Sequence, residues 1–200
     1  IITSGVFDNS SIPKPANHIT LFSGLLTTGE DGDFGGRNGA DTICTNIMDR
    51  ELISMFNNSC SNERALISVS ASDEIRDFPT IYSVPTNVKV RSQNGMLISD
   101  NWAGILATTS GGNPTGLYGS ISTLLGIGYR SGGGIGDYGI WTGSNSDGSL
   151  ATHNCSGWTS SGASVNGEYG YQGWETDNLW AYGDIQCNNT FKNPLYCICF

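Results

Sequence analysis

Charge is what this sequence has least of. Asp, Glu, Lys and Arg together make up 14% of its 200 residues, against about a quarter in an ordinary globular chain. Cations are scarcer than anions, nine Lys and Arg against eighteen Asp and Glu, so the net charge is -9 and the isoelectric point near 4.4. Nucleic-acid binding is excluded on that ground, because a phosphate backbone is held by clustered cations and these nine are scattered. The same scatter argues against heparin or an anionic membrane as ligand of a broad basic patch. Only two histidines are present, His18 and His153, and no Cys-x-x-Cys pair occurs, which leaves little to build a zinc cage. No apolar run approaches the roughly 18 residues that cross a bilayer. A Gly-x-Ser-x-Gly nucleophile elbow is absent, and so is any repeat at solenoid or propeller period.

What is there is glycine, with 28 residues, polar uncharged side chains, and 10% aromatics. Glycine is costly in helix interiors, so the composition reads as a loop-rich fold with a real core, long enough for one domain. Six cysteines stand at positions 44, 60, 155, 187, 197 and 199. Cys197 and Cys199, two residues apart, could ligate a metal but are read as disulfide cysteines with different partners. Three disulfides follow, with the pairing left open by sequence alone, and with them a compartment outside the cytosol. The chain begins at Ile1 rather than Met, which implies an upstream segment such as a signal peptide, lipid anchor or stalk.

Along the chain, residues 1–17 hold Pro13 and Pro15 and read as an arm or linker, and residues 18–200 as the domain. His18–Leu25 reads as the first core strand. Ala40, Ile43, Cys44, Ile47 and Met48 have helical spacing, with Asn38 as candidate N-cap and Cys44 on the buried face. Arg64–Ser70 reads as a second strand, and Asp73–Phe78 as a short helix stopped by Pro79. Asn94-Gly95 marks a hairpin within Val88–Ser99, and Ser99 and Asp100 offer a cap for a helix over Asn101–Leu106. Gly111–Gly148 is too rich in glycine for regular structure except near Ile140-Trp141. Ala151–Tyr182 is polar with interspersed aromatics, and Leu195–Phe200 is a closing apolar strand. The expected class is α+β.

Several separated segments, in order, resemble the endostatin family and its bacterial, leptospiral-type endostatin-like relatives. They are Gly35-Gly36-Arg37-Asn38-Gly39-Ala40-Asp41-Thr42-Ile43-Cys44, Arg64-Ala65-Leu66-Ile67-Ser68, Gly95-Met96-Leu97-Ile98-Ser99-Asp100-Asn101-Trp102, and Ile140-Trp141-Thr142-Gly143-Ser144 with Asp147-Gly148. Cys155 with Trp158, then Cys187, then Leu195-Tyr196-Cys197-Ile198, complete the order. The resemblance implies a C-type-lectin-like fold with nested disulfides, Cys44 to Cys197 and Cys155 to Cys187, leaving Cys60 and Cys199 for each other. It also implies a surface-exposed adhesin, extracellular or on the outer cell surface, binding laminin, fibronectin or plasma proteins such as plasminogen and factor H. Two departures limit it. Animal endostatin is basic and binds heparin, whereas this chain is acidic. The endostatin zinc site uses N-terminal histidines, and residues 1–17 contain none.

The candidate ligand site is the cluster Tyr169, Tyr171, Trp174, Glu175, Asp177, Asn178, Trp180 and Tyr182, with Asp184 beside it. Aromatic faces anchor protein partners or stack on sugars, and carboxylates orient hydroxyls. The plain alternative is that these aromatics pin a long loop to the core; the expectation is a division between core and surface. No metal or cofactor is expected, calcium being the minor alternative. Trp174–Asn178 resembles the Trp-Asn-Asp calcium motif of C-type lectins with its order changed and no Glu-Pro-Asn partner. Glu30-Asp31-Gly32-Asp33 lacks the closing Glu of an EF-hand loop. Gly134–Gly139 fits the dinucleotide fingerprint only as letters, outside a strand-turn-helix setting. His153 beside Cys155 suggests no catalysis, since a disulfide-bonded cysteine is no nucleophile. The expected function is therefore non-catalytic binding of an extracellular protein, with a glycan-binding tip of a cell-surface or fibre protein, trimeric in one version, as the alternative.

Overall fold

The computed structural model describes residues 18–23, 31–48, 62–110, 113–125, 139–171, 179–188 and 193–200. Residues 1–17, Cys60 and residues 172–178 lie outside them. The larger sheet is built from β1 (Ile19–Ser23), β2 (Glu63–Ala65), β3 (Val90–Ser92), β4 (Leu97–Ser99) and β8 (Tyr196–Cys199) in the order β2-β8-β1-β3-β4. β1 and β3 run parallel and every other pair antiparallel. The alternating apolar residues of β1 and β8, both nearly fully buried, put these two strands at the centre. A second sheet, in the order β5-β6-β7, is formed by β5 (Gly139–Trp141), β6 (Asn166–Tyr171) and β7 (Gly183–Gln186). The class is mixed α+β. No helix among the described residues is long and apolar enough to cross a membrane.

Helix α1 (Gly36–Ile47) buries Gly36, Ala40, Cys44 and Ile47, one stripe at helical spacing. Its N-cap is Gly35, in the left-handed region at φ 77°, so Asn38 lies inside the helix rather than capping it. Cys44 bonds Cys197 of β8 and Cys155 bonds Cys187, the nested pairs the resemblance implies. Cys199 is disulfide-bonded as well; Cys60, its expected partner, lies outside the described residues. Arg37, one turn ahead of Asp41, is sequestered beneath α1. Its guanidinium donates twice to Asp73 at 2.8 and 2.9 Å, and to the carbonyls of Ala65 and Ile67 at 2.7 and 2.6 Å. It also lies over the rings of Phe78 and Tyr82. Burial outweighs these partners at Asp41, whose carboxyl is pushed up despite an N–H from Ala65 and two arginines.

Four expectations change in the middle of the chain. The strand at Arg64–Ser70 is only β2 long, because Leu66 donates to Tyr196 whereas Ser68 donates to Thr142, so the chain leaves one sheet for the loop of the other. Pro79 opens helix α2 (Phe78–Tyr82) instead of stopping a helix, sitting in the first turn where its missing N–H costs nothing; a 3-10 turn, Ile75–Asp77, precedes it. Helix α3 (Trp102–Leu106) is capped by Asn101, whose side chain accepts from Gly104 N–H at 2.9 Å, not by Ser99 or Asp100. Helix α4 (Ile121–Leu125) forms inside the glycine-rich stretch expected to lack regular structure, and buries Ile121, Leu124 and Leu125. The hairpin at Asn94-Gly95 is present, with Gly95 at φ 79°.

Cys155, Ser156, Gly157 and Trp158 all have positive φ, from 50° to 72°, forming one left-handed turn. Each non-glycine residue so placed costs about 1–2 kcal/mol, so the surroundings must impose it. Asn154 does so from both ends: its Oδ1 accepts from Gly157 N–H, and its amide donates to Val69 O. Trp158 closes the turn with its indole N–H on Ser68 O at 2.8 Å, its ring stacked on Phe34 and edge-on to Trp141. The Cys155–Cys187 disulfide then carries this rigid corner to the end of β7.

Candidate functional site

The candidate residues lie on and beside the β6–β7 hairpin. β6 alternates by the strand period: Gly167 and Tyr169 are buried, while Asn166 and Glu168 face outward and are half-buried. β7 matches it in register, Asn166 opposite Gln186, Gly167 opposite Ile185, Glu168 opposite Asp184, Tyr169 opposite Gly183. One face is therefore the polar set Asn166, Glu168, Asp184 and Gln186; the other packs on the core containing Trp141 and Trp158. A Cβ at Gly167 would stand 2.6 Å from Cys155 Sγ and 2.8 Å from the Trp141 ring. Only glycine lets β6 lie this close to the disulfide.

The aromatics divide between core and surface. Trp180 is 1% exposed and its indole N–H is satisfied by Ile105 O at 2.9 Å, so it is a core anchor and not a contact residue. Tyr169 is buried as well, at 7%. Tyr182 is 48% exposed and stacks on half-buried Tyr171 with ring centroids 4.9 Å apart, and lies tilted against Tyr169 at 5.8 Å. Trp174, Glu175, Asp177 and Asn178 lie outside the described residues. Tyr171 and Tyr182 thus form a platform at one end of the hairpin, on the Tyr169 side of β6, while Glu168 and Asp184 lie on its other, outer face.

Glu168 and Asp184 are the electrostatic centre of this face. Burial, then the neighbouring Asp184, push the Glu168 carboxyl up from an ordinary 4.5 to about 7. The Tyr169 hydroxyl is raised by burial first and then by Tyr182, Glu168 and Asp184. Asp184 accepts from the Asn166 amide, and His153 Nδ1 approaches its carboxylate to 3.9 Å. His153 belongs to a segment that pairs with β6 on the side away from β7, since its carbonyl accepts from Glu168 N–H at 2.7 Å. Its ring therefore reaches Asp184 across the face that carries Glu168.

No family model and no curated protein matches the chain.

This arrangement can stack an aromatic or sugar ring on Tyr171 and Tyr182 and accept hydrogen bonds or a positive charge at the carboxylates. Among the described residues, no three His, Cys, Asp or Glu side chains are grouped to hold a metal ion. Asp31 and Asp33 of the acidic loop accept from backbone N–H groups of Asp33 and Gly35. Asn166, Glu168 and His153 are absent from the candidate set read from sequence. The signal for the first two was the period-two pattern of residues 166–171, masked by glycine at 167 and 170; nothing local signals His153, which arrives by tertiary packing.

Proposed function

We propose that the chain is a non-catalytic binding domain of the C-type-lectin-like, endostatin-like kind, displayed outside the cytosol, whose β6–β7 face engages extracellular-matrix or plasma proteins. The observation that carries this reading is the stack of exposed Tyr182 on half-buried Tyr171 at the end of the hairpin whose outer face bears Glu168 and Asp184. Tyrosine on a rigid support supplies large contact area at low entropic cost. The support is anchored at its far end, where β7 runs into Cys187 and so into the left-handed turn. Acidic residues on this face and a net charge of -9 favour a partner with a basic surface, which the field of the chain would steer toward it. The nested disulfides and the pairing of β1 with β8 support the lectin-like assignment.

A second reading, a glycan ligand, is favoured by the same stack, since a tyrosine ring exposed as Tyr182 is, and backed by Tyr171, suits the face of a sugar ring. The deciding experiment is binding of the purified chain to immobilised fibronectin and laminin, before and after enzymatic deglycosylation. Protein recognition predicts binding that survives deglycosylation and weakens in Tyr182→Ala. Loss with the glycans supports the second reading, and no binding in either state overturns the proposed partner class.

A further inference from the structure

We propose that His153, Glu168 and Asp184 form a proton-operated latch on β7, closed when Glu168 is protonated and loosened when it is not. The latch regulates the hairpin itself and stands whatever the face binds.

The geometry supplies each part. Cys187 N–H donates to Val165 O in the register of β6 and β7, so hydrogen-bonded pairs fall at 165 with 187, 167 with 185, and 169 with 183. Glu168 and Asp184 are then a non-hydrogen-bonded pair, the kind in which opposed side chains come closest. Consistent with this, the Glu168 N–H turns away to His153 O, and its carbonyl accepts from Thr142 and Gly143 at 3.1 Å each. Glu168 and Asp184 share no backbone hydrogen bond with each other, so their side chains bias how firmly the flanking pairs, 167 with 185 and 169 with 183, hold. Like charges directly opposite on a sheet destabilise it.

The groups facing the pair are few. β5 contributes Gly139, Ile140 and Trp141, none of them titratable. The segment beside it contributes His153, charged only when protonated; β6 contributes Tyr169, and the residue before β7 is Tyr182. Among the described residues no lysine or arginine pairs with either carboxylate. In the closed state the protonated Glu168 carboxyl donates to the Asp184 carboxylate, which also accepts from the Asn166 amide. In the open state two anions face each other, with no lysine or arginine among the described residues to offset them. The raised Glu168 carboxyl places the changeover near neutrality.

β7 is where the change shows, because it is an edge strand held by β6 alone in its sheet. Cys187 fixes its far end and Tyr182 precedes its near end. Loosening therefore moves Tyr182 relative to Tyr171 and leaves the larger sheet untouched.

The test is amide hydrogen exchange of residues 183–186 at pH 5.5 and pH 8, expressed as protection factors so that the intrinsic pH dependence is removed. The expected result is at least tenfold stronger protection at pH 5.5, with β1 and β8 unchanged as internal controls. Glu168→Gln, isosteric and unable to ionise, should hold β7 at high protection at both pH values. A carbon-13 titration of the Glu168 carboxyl gives a reading that needs no variant, with the midpoint expected near 7. Protection of β7 differing by less than twofold between the two pH values, a full pH response retained in Glu168→Gln, or a Glu168 midpoint between 4 and 5 would each overturn the latch.

Discussion

Arg37→Met tests the most heavily partnered side chain of the fold. The methionine keeps most of the aliphatic stem but removes four charge-assisted hydrogen bonds, two to Asp73 and one each to Ala65 O and Ile67 O. The side chains of Arg37 and Asp73 are 13% and 15% exposed, so water does not readily replace what is lost. Removing one partner of a buried ion pair costs about 3–5 kcal/mol, because the other charge stays buried without compensation. The two orphaned carbonyls each accept elsewhere only in part, and such losses overlap with the first rather than add to it. We expect about 4 kcal/mol in total. For a chain of this size each kcal/mol lowers Tm by about 2–4 °C, so Tm should fall by about 12 °C, measured by calorimetry with the disulfides intact. Arg37→Lys keeps the charge but cannot reproduce the fork that reaches Asp73 and two carbonyls at once, and should lose about half as much. In Asp73→Asn, the further effect of Arg37→Met should shrink by at least 1 kcal/mol. A loss below 1 kcal/mol for Arg37→Met, or strict additivity with Asp73→Asn, would refute the argument that this cluster acts as one unit.

Other outcomes follow from the same structure. Glu168, with its carboxyl raised from 4.5 to about 7, binds its proton more tightly when folded, so its contribution to stability is fully present below pH 4.5 and is lost as pH rises to 7. The displacement would be worth about 3 kcal/mol unscreened; half-buried and reached by water, it should be worth about 1–2 kcal/mol, seen as added stability of Glu168→Gln over the native chain at pH 8 in urea melts. Replacing Cys155 and Cys187 together by Ala opens a loop with a sequence separation of 32, and loop entropy sets the loss at about 3–4 kcal/mol; the Cys44–Cys197 pair, separated by 153, should cost about 5 kcal/mol by the same relation. Gly167→Ala should destabilise by about 1–3 kcal/mol, because its methyl group meets a disulfide and an indole that cannot move aside. Tyr182→Ala should weaken ligand binding by about tenfold or more with unchanged circular dichroism, the signature of a contact residue on an intact support.

The two ends of the fold were the most legible in the sequence. His18–Leu25 and Leu195–Phe200 are short apolar runs rich in strand-forming residues, and the strands appear there as β1 and β8 because nothing competes with that pattern. Cys44 on the buried stripe of α1 was equally plain from its spacing. The errors lie where one local signal has two outcomes. Pro79 can end a helix or begin one, and the preceding 3-10 turn settles it in favour of beginning. Asn38, Ser99 and Asp100 are good caps by residue type, yet Gly35 and Asn101 take the positions, because capping depends on the path of the chain into the helix. At the candidate site the aromatics were visible but their division was not: Trp180 and Tyr182 are two residues apart, one in the core and the other in solvent. What separates them is tertiary: Trp180 donates its indole N–H to Ile105 O in the core, whereas Tyr182 stacks on Tyr171. His153 was out of reach of any local reading for the same reason.

The position of β8 has a consequence for the order of events during synthesis. It lies between β2 and β1, and its residues come after every other described strand. Until residues 196–199 leave the ribosome, β2 has no neighbour in its sheet and β1 has only the three-residue parallel pairing with β3. The thiol of Cys44 likewise waits for Cys197. A nascent chain therefore cannot close its central sheet or its outer disulfide, and acquires both only after the C-terminal strand has been made. The β5-β6-β7 sheet and the Cys155–Cys187 disulfide, by contrast, need no strand or cysteine that comes after Cys187.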